Sequence, residues 1–492
     1  MEALSETLRG IAAQGPLGLF LDGQWRASTG DRTVDVIAPH SEERLLCYTE
    51  PSYADTEAAI AAARSAFDNG PWPQLSPQER SVVLKRVAEH LRARIPELAE
   101  AWTGQMGATI GFSKRASQHA PDLFDYYADL IATHAFVEPR VRPNGGRVHG
   151  VQEPVGVVGV VAAITPWNAP LVLLCYKVAA ALAAGCTVVA KPSPETPIDA
   201  YVLAECISAA GVPDGVFNLL PAGREVGEQL IRHPHVDKVS FTGSTQARRS
   251  IGIACAERLA RVGLELGGKS AAIVLEDADL AKVLPTLVPY SMPVAGQVCF
   301  SLTRVLLPAQ RREEILQAYC AALSAVKLGD PFAADTGMGP LALGRQLERV
   351  QSYIAKGKAE GARLVMGGGR PAHLSRGFFV EPTVFAEVTP DMTIAREEIF
   401  GPVVSFIDYY DEADLIAKAN ASDYGLHGTI YSEDAECAYR IARRVRSGSH
   451  AINGMWVDIS MPFGGFKHSG IGREGGIEGL HAFLETKTVY LS

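Results

Sequence analysis

Three residues that are far apart in the sequence have side chains suited to covalent chemistry on a carbonyl group. Cys299 lies in the stretch AGQVCFSLTR, residues 295–304, Asn168 lies between prolines in TPWNAP, and Glu265 lies between leucines in ELGGKS. A thiolate is a nucleophile, and a side-chain amide donates to a developing oxyanion. A carboxylate in apolar surroundings has a raised pKa and can act as a base. These residue types predict nucleophilic catalysis.

Each of the three residues also has an ordinary structural interpretation. A lone cysteine such as Cys299 is more often buried filler than a nucleophile. Asn168 suits the N-cap of a helix, and Glu265 at the end of a strand suits the wet surface. From the sequence around each residue alone, both the catalytic and the structural interpretation stay open.

The elements that must position these residues alternate in type along the chain. A first set of strands is predicted at 155–164, 186–191, 215–220 and 237–241, with helices near 171–184 and 197–210. This alternation predicts a parallel sheet with right-handed crossovers, as in nucleotide-binding folds. A further set of strands is predicted at 270–275, 303–308, 363–368 and 402–409, with helices near 311–325 and 340–360. It predicts a second α/β domain.

Two segments outside these sets also read as strands. RPNGGRVHG (142–150) is typical of a hairpin, and FLETKTVYLS (483–492) alternates like a strand without a neighbour in sequence. Both are candidates for extending a sheet of another subunit.

Glycines and charged residues at strand ends suggest where a dinucleotide would bind. In FTGST (241–245), Gly243 and Ser244 open a helix directly after a strand, where backbone N–H groups can face a pyrophosphate. KPSPE (191–195) places a lysine and a glutamate where ribose hydroxyls would lie. Each signal is weak by itself. The G-x-G-x-x-G at 470–475 is a false lead, because no strand leads into it.

The composition narrows the class of protein. The 492 residues are 47% hydrophobic and 21% charged, with a formal net charge of -9. This balance argues against nucleic acid or an anionic membrane as the main partner. The eight cysteines form no C-x-x-C pair, so no metal site is expected and a reducing cytoplasm fits. The N-terminal residues lack the pattern of a secretory signal, and no apolar run is long enough to span a membrane.

Taken together, the motifs resemble the aldehyde dehydrogenase family from about residue 22 to the C-terminus. The matching motifs, in the family's order, are TPWNAP, KPSPETP, FTGST, ELGGKS, GQVC, EEIFGPV and PFGGFKHSGIGRE. The resemblance implies an α/β fold with a Rossmann-like nucleotide-binding domain, a second α/β catalytic domain and a small β oligomerisation element. The implied limits are 1–130 with 151–265, then 266–465, and finally 131–150 with 466–492.

The resemblance implies the oxidation of an aldehyde to a carboxylic acid with NAD(P)+. Cys299 would attack the aldehyde to give a thiohemiacetal, and the Asn168 amide would stabilise the oxyanion. Hydride transfer to the nicotinamide would leave a thioester, which water activated by Glu265 would hydrolyse. Lys177 and Glu474 match positions proposed as a proton path from that base.

The resemblance also implies the residues that contact the cofactor. They are Trp167, Lys191, Ser193, Glu195, Gly223, Gly227, Phe241, Gly243, Ser244, Leu266, Glu398 and Phe400. Many members have an acidic residue at the position of Pro194, whereas here the carboxylate comes one residue later. We expect NAD, because that carboxylate would repel a 2′-phosphate, while NADP stays open.

Two further departures from the family bear on the substrate. Val294 stands where an asparagine is common, and Ala169 stands where an aromatic residue is common. Both changes predict a wider and more apolar substrate channel. They therefore predict a hydrophobic aldehyde as the substrate. Alternatives are a cysteine esterase or acyl transferase, and a non-catalytic binding or structural protein on the same fold. A homodimer or homotetramer is expected.

Overall fold

The computed structural model describes residues 18–141, 147–153, 159–455 and 457–491. Its strands are β1 (Leu19–Leu21), β2 (Gln24–Arg26), β3 (Thr33–Ile37), β4 (Arg44–Thr49), β5 (Val137–Val141), β6 (Arg147–Glu153), β7 (Val160–Ile164), β8 (Thr187–Lys191), β9 (Phe217–Leu219), β10 (Lys238–Thr242), β11 (Arg261–Glu265), β12 (Ala271–Val274), β13 (Arg304–Pro308), β14 (Arg363–Met366), β15 (Thr383–Ala386), β16 (Val403–Tyr409), β17 (Gly428–Tyr431), β18 (Ala451–Ile452), β19 (Gly470–Ile471) and β20 (Glu485–Tyr490).

The α-helices of the described residues lie between these strands. They are α1 (Tyr53–Asn69), α2 (Pro77–Ala93), α3 (Ile95–Met106), α4 (Ile110–Ala116), α5 (His119–Thr133), α6 (Pro170–Ala184), α7 (Ile198–Ala209), α8 (Arg224–Arg232), α9 (Thr245–Glu257), α10 (Leu280–Ser291), α11 (Arg312–Ser324), α12 (Gly344–Ala359), α13 (Thr393–Arg396), α14 (Glu412–Asn420), α15 (Ala435–Ala442) and α16 (Gly476–His481). Among the helices so described, none is long and apolar enough to cross a membrane.

The first sheet has the order β19-β11-β10-β7-β8-β9-β1-β2, and its five strands from β11 to β9 run parallel. The predicted alternation is confirmed. On β7, Val161 and Ala163 join one apolar cluster while Val160 and Ala162 join another, so both faces are covered. This explains the unbroken apolar run of the strand. The beginning of the predicted strand, 155–158, lies outside the described residues.

The connections from β7 define a topological switch point. From β7 the chain passes to β8 on one side, whereas β10 lies on the other side of β7. Ligands of open α/β sheets bind at such a point, outside the carboxyl ends of the strands. The two segments that leave these ends are the TPWNAP turn, 165–170, and the Gly-Ser turn of FTGST, 243–244. The fold therefore predicts that a ligand binds at this edge of the first sheet.

The second sheet has the order β14-β15-β16-β13-β12-β17-β18. Apart from β14, which is antiparallel to β15, its strands run parallel and share one apolar cluster with the helices around them. The predicted second α/β region is confirmed. The limits of the domains stay a prediction.

The predicted strands near 142–150 and 483–492 pair with each other within one chain. β6 lies between β5 and β20, and β20 is antiparallel to β6 from Glu485 opposite Glu153 to Tyr490 opposite Val148. The turn residues between β5 and β6 lie outside the described residues. This small sheet is separate from the two large ones.

Candidate active site

Cys299 lies in the loop between α10 and β13, and left-handed residues shape that loop. Val294, Ala295 and Gly296 have φ angles of 51°, 55° and 73°. The side-chain amide of Gln297 donates to the Val294 carbonyl (3.0 Å), and its side-chain carbonyl accepts a backbone N–H from a neighbouring loop (2.9 Å). The loop is thus fixed on both sides of the turn. It presents Cys299 as a half-buried thiol.

The surroundings of Cys299 hold its thiol in the protonated form. Burial raises the pKa of the thiol well above its usual range, and the charges of Glu398 and Glu265 raise that pKa further. A neutral thiol is a poor nucleophile, so this cysteine needs a base that takes its proton.

Asn168 lies on the turn between β7 and α6, and its side chain reaches the cysteine loop. The amide Nδ2 donates to the main-chain carbonyl of Gln297 (3.0 Å), two residues before Cys299. The indole of Trp102 donates to the main-chain carbonyl of Asn168 (3.1 Å) and fixes the turn. The N-cap of α6 is Ala169, so the N-cap interpretation of Asn168 is wrong.

Glu265 ends β11 beside the cysteine loop. Its side chain is buried, with the residue 4% exposed, and neither carboxylate oxygen has a hydrogen-bond partner within the described chain. The interpretation as a wet surface residue is therefore wrong. Burial raises the pKa of Glu265 well above its usual range, and the negative charge of Glu474 adds to this. Lys177 and Arg473 oppose the rise. A carboxylate in this state can accept a proton at neutral pH.

Lys177 and Glu474 form a buried pair behind Glu265. Nζ of Lys177, which is fully buried in α6, donates to the Glu474 carboxylate and to the hydroxyl of Thr242 (2.7 Å). The hydroxyl of Ser240 also lies against the Glu474 carboxylate (3.3 Å). The structure thus brings three of the predicted residues, Glu265, Lys177 and Glu474, to one region with the hydroxyls of Thr242 and Ser240.

The end of β8 and the start of α8 lie beside each other around the Lys191 amine. The Lys191 amine donates to the main-chain carbonyls of Ala222 and Pro192, and burial lowers its pKa to about 8. A Cβ on Gly227 would lie 3.6 Å from the Lys191 side chain, and the Gly223 N–H donates to the buried Glu50. Because Gly223 and Gly227 have no side chains, only backbone atoms border the space beside the Lys191 amine. Such a space fits a nucleoside.

Glu195 is the carboxylate that the sequence places near the ribose. It accepts a hydrogen bond from Ser193 and pairs with Arg345 on α12. Burial opposes its charge, but the Ser193 hydroxyl and the Arg345 guanidinium hold the pKa of Glu195 below its usual range. Its neighbour Pro194 is held by a hydrogen bond from the Tyr48 hydroxyl (3.1 Å). The carboxylate is therefore fixed and charged.

The Gly-Ser turn leads from β10 into α9. A Cβ on Gly243 would lie 2.5 Å from the ring of Phe241, so a larger residue there would require the ring to move. Ser244 is the N-cap of α9 and makes no side-chain cap, and the first turn carries no acidic residue. The positive end of this helix therefore fits a pyrophosphate.

The predicted residues for the nicotinamide side come from three segments that border the cysteine loop. The Gly268 N–H donates to the Glu398 carboxylate (3.0 Å), and burial raises the pKa of Glu398 to about 7. The rings of Trp167 and Phe400 meet edge to face at 5.4 Å. Leu266 is buried at the end of β11, where its N–H donates to a carbonyl near β19.

An apolar cluster lies beside Asn168 and the cysteine loop. Its members are Trp102, Met106, Ala108 and Ala342, with Phe112, Ala116, Trp167, Ala169, Val172, Val294 and Leu343 packed against them. Both positions that depart from the family, Ala169 and Val294, belong to it. The ring of Phe300, the residue after Cys299, lies 6.5 Å from the ring of Phe463.

Sequence reasoning missed several residues that support the site. Gln297 positions Asn168, Arg345 holds Glu195, and Ser240 contacts Glu474. For Ser240 a signal was present, since DKVSFT alternates polar and apolar residues in a strand predicted to belong to the parallel sheet.

Comparisons with known proteins agree with this geometry. The family model described as "Aldehyde dehydrogenase family" matches residues 25–489. The chain is 45% identical to geranial dehydrogenase of Castellaniella defragrans, covering 96% of this chain and 98% of the relative. An aldehyde dehydrogenase of Mycobacterium tuberculosis complexed with NAD+ is 42% identical, with a TM-score of 0.94 over 97% and 98% of the two chains.

A second solved structure is also similar to this chain. A mutant of aldehyde dehydrogenase C from Pseudomonas syringae, in complex with NAD+ and octanal, is 39% identical to this chain. The TM-score is 0.93, and the match covers 97% of each chain.

Proposed function

The chain belongs to the aldehyde dehydrogenase family, and on that premise we propose that it oxidises apolar aldehydes with NAD+ through a thioester on Cys299. The observation that carries the proposal is the hydrogen bond from Asn168 to the carbonyl of Gln297. This bond holds the Asn168 amide within two residues of Cys299. The Cys299 thiol faces the buried carboxylate of Glu265.

The first half of the reaction forms the carbon–sulfur bond. The Cys299 thiol gives its proton to Glu265, and the sulfur adds to the aldehyde carbon. The electron pair of the C=O bond moves to oxygen, where the Asn168 amide and the Cys299 N–H donate to it. When bound, NAD+ supplies the acceptor for the hydride that leaves this carbon.

The second half releases the product. A thioester on Cys299 is attacked by water, which gives its proton to Glu265, and the sulfur leaves from the acyl carbon. The raised pKa of Glu265 makes it a base of suitable strength for this step. The pair of Lys177 and Glu474 lies behind it, where a proton can be received.

The cofactor we propose is NAD+ rather than NADP+. Glu195 is held charged by Ser193 and Arg345, so a phosphate placed on the neighbouring ribose would meet a fixed negative charge. The Mycobacterium tuberculosis relative is complexed with NAD+, which supports the same choice.

The substrate we propose is an apolar aldehyde of geranial or octanal type. The cluster around Ala169 and Val294 gives the substrate path apolar walls without a side-chain donor at either position. Burying each methylene of a substrate in such a path contributes about 0.8 kcal/mol. The names of two relatives, geranial dehydrogenase and the octanal complex, support this class.

Reduced nicotinamide absorbance tests the proposal. Acetaldehyde, octanal and geranial are compared with NAD+ and with NADP+, for the wild type and for Cys299→Ala. We expect kcat/KM to rise from acetaldehyde to octanal, and Cys299→Ala to abolish oxidation. Equal kcat/KM values would contradict the apolar substrate, and a fully active Cys299→Ala would revive a non-catalytic role for the thiol. An activated ester hydrolysed regardless of nicotinamide, without aldehyde oxidation, would favour the esterase alternative.

We further propose a homodimer or homotetramer in the cytoplasm. The sheet of β20, β6 and β5 exposes apolar side chains, Val141 at 78% and Tyr490 at 69%. Exposed apolar strands of this kind are suited to pairing with another copy. Within the described residues the eight cysteines form no disulfide bond, which supports a reducing compartment. Light scattering and fractionation test the two statements.

A further inference from the structure

A buried histidine lies just before β17, next to the cysteine loop. His427 is 3% exposed. A Cβ on Gly268 would lie 2.4 Å from the carbonyl oxygen of Cys299 and 3.2 Å from the side chain of Leu426, the residue before His427. The chain that enters β17 therefore borders the loop that carries the nucleophile.

The imidazole of His427 is neutral and only half satisfied. Its Nδ1 lies 2.8 Å from the hydroxyl of Ser449, whereas Nε2 is buried without a hydrogen-bond partner in the part of the chain that the structure describes. Burial, and to a smaller extent the charge of the neighbouring His450, lower the pKa of His427 to about 3. A buried polar group without a partner is costly, so this imidazole needs a reason to be there.

The ring of His427 packs against the side chain that follows the nucleophile. The rings of His427 and Phe300 are 6.3 Å apart and inclined at 63°, within the range of edge-to-face aromatic pairs. The hydrogen bond to Ser449 fixes the plane of the imidazole. Ser449 is fixed in turn, because its N–H donates to the Leu426 carbonyl (3.2 Å). The imidazole is therefore a rigid neighbour for the Phe300 ring.

The Phe300 ring also extends toward the general base. It meets the ring of Phe463 at 6.5 Å, with the two planes inclined at 79°. At Gly464, the residue after Phe463, a Cβ would lie 2.7 Å from Oε1 of Glu265. The two phenylalanine rings thus connect the cysteine loop with the segment beside Glu265. Both side chains are half-buried, so part of each ring stays accessible to a substrate.

The main chain of Phe300 contacts the thiol itself. Burial raises the pKa of Cys299, and the Phe300 N–H opposes this rise by donating to the sulfur. Phe300 therefore has its N–H on the nucleophile and its ring beside the path to it. A displacement of the ring changes the shape of the apolar path next to the reacting sulfur.

We propose that His427 is a positioning residue that holds the Phe300 ring against Phe463 and so sets the width of the path for long apolar aldehydes. His427 acts through Phe300 and does not touch the reacting atoms. The proposal rests on the proposed function, because it requires an apolar aldehyde that reaches Cys299. It adds to that function a residue that determines specificity from the second sheet.

Steady-state kinetics with NAD+ tests the proposal through one ratio, kcat/KM for octanal divided by kcat/KM for acetaldehyde. His427→Ala removes the ring. His427→Asn removes the ring but keeps an amide that can bond to Ser449, whereas His427→Phe keeps a ring that cannot. The matched control is His450→Ala, which removes the neighbouring buried imidazole, bonded to Ser447 (2.7 Å). Melting temperatures report the folding of each variant.

We expect His427→Ala and His427→Asn to lower the ratio about tenfold, comparable to the loss of one methylene contact in an apolar pocket. The loss should come from a higher KM for octanal. His427→Phe and His450→Ala are expected to keep the wild-type ratio. A general structural defect would instead lower kcat for both aldehydes and leave the ratio unchanged.

Phe300→Leu removes the other ring of the pair and leaves His427 in place, so it tests the contact even where a His427 variant fails to fold. It should lower the ratio to a similar extent, and adding His427→Ala to it should lower the ratio no further. A wild-type ratio in His427→Ala, a ratio kept in His427→Asn but lost in His427→Phe, or additive losses in the double variant would overturn the role of His427. Equal kcat/KM values for the two aldehydes in the wild type would instead overturn the proposed function.

Discussion

Replacement of Gly296 by alanine tests whether the shape of the cysteine loop sets the rate. Gly296 has a φ of 73°, and a Cβ there would lie 2.1 Å from the main-chain oxygen of Gly401. Ordinary contacts of Cβ atoms are longer than 3.0 Å. The loop must therefore move by about 1 Å to admit the alanine. A displacement of about 1 Å in a reacting group costs about 100-fold in rate. This loss corresponds to about 2.7 kcal/mol of activation free energy.

A matched control exists in Gly361, after α12. It has a φ of 91°, and a Cβ there would meet nothing within 4 Å. Gly361→Ala therefore carries the left-handed strain of about 1–2 kcal/mol without the clash. We expect a lower melting temperature for both variants and a lower kcat/KM for Gly296→Ala alone.

The assay measures the burst of reduced nicotinamide, which counts productive thiols, together with kcat/KM for octanal and thermal unfolding. If Gly296→Ala keeps the wild-type kcat/KM while its melting temperature falls as in Gly361→Ala, the loop does not position the thiol. The reasoning from the contact of Gly296 with Gly401 would then be refuted.

Three further variants report on carboxylates. Because Glu265 also takes the thiol proton, Glu265→Gln should slow the nicotinamide burst and lower steady-state turnover by about 10²–10⁴. It should also lower the pKa of Cys299 and speed thiol alkylation at pH 8. Glu195→Ala frees Arg345 and removes a charge that opposes a 2′-phosphate, so kcat/KM with NADP+ should rise at least about tenfold, as measured against NAD+. Asp199 is fully buried, and burial raises its pKa well above the usual range. The folded state therefore binds this proton more tightly than the unfolded state, and stability falls as pH rises above about 4. Melting temperatures at pH 5.5 and 8 should show Asp199→Asn gaining stability at the higher pH, and no gain would contradict the assignment.

The strands and helices of the first sheet were predictable because local patterns specify them. The apolar run of β7 follows from burial on both faces, and the end of α6 at Gly185, with a φ of 95°, follows from the left-handed cap that glycine favours. The bond between Asn168 and Gln297 joins residues 129 apart in sequence, and no local pattern encodes such a contact.

The G-x-G-x-x-G of residues 470–475 shows why a motif needs its context. Gly470, Gly472 and Gly475 have φ angles of 155°, 93° and 72°. A Cβ on Gly470 would lie 2.2 Å from the carbonyl of Leu264, so this glycine lets β19 pair closely with β11. The motif thus supports the strand that ends in Glu265 and has no part in a phosphate loop.

The charges around Cys299 determine how its thiol can lose a proton during the reaction. Burial and two carboxylates, Glu398 and Glu265, raise the pKa of the thiol, so it does not ionise by itself at neutral pH. If Glu265 takes the thiol proton, it becomes neutral and cannot take a proton from water until that first proton has left. A single buried base that acts twice in one turnover therefore requires a route for protons. Glu474, which is bonded to Lys177 and raises the pKa of Glu265 through its charge, is placed to begin that route.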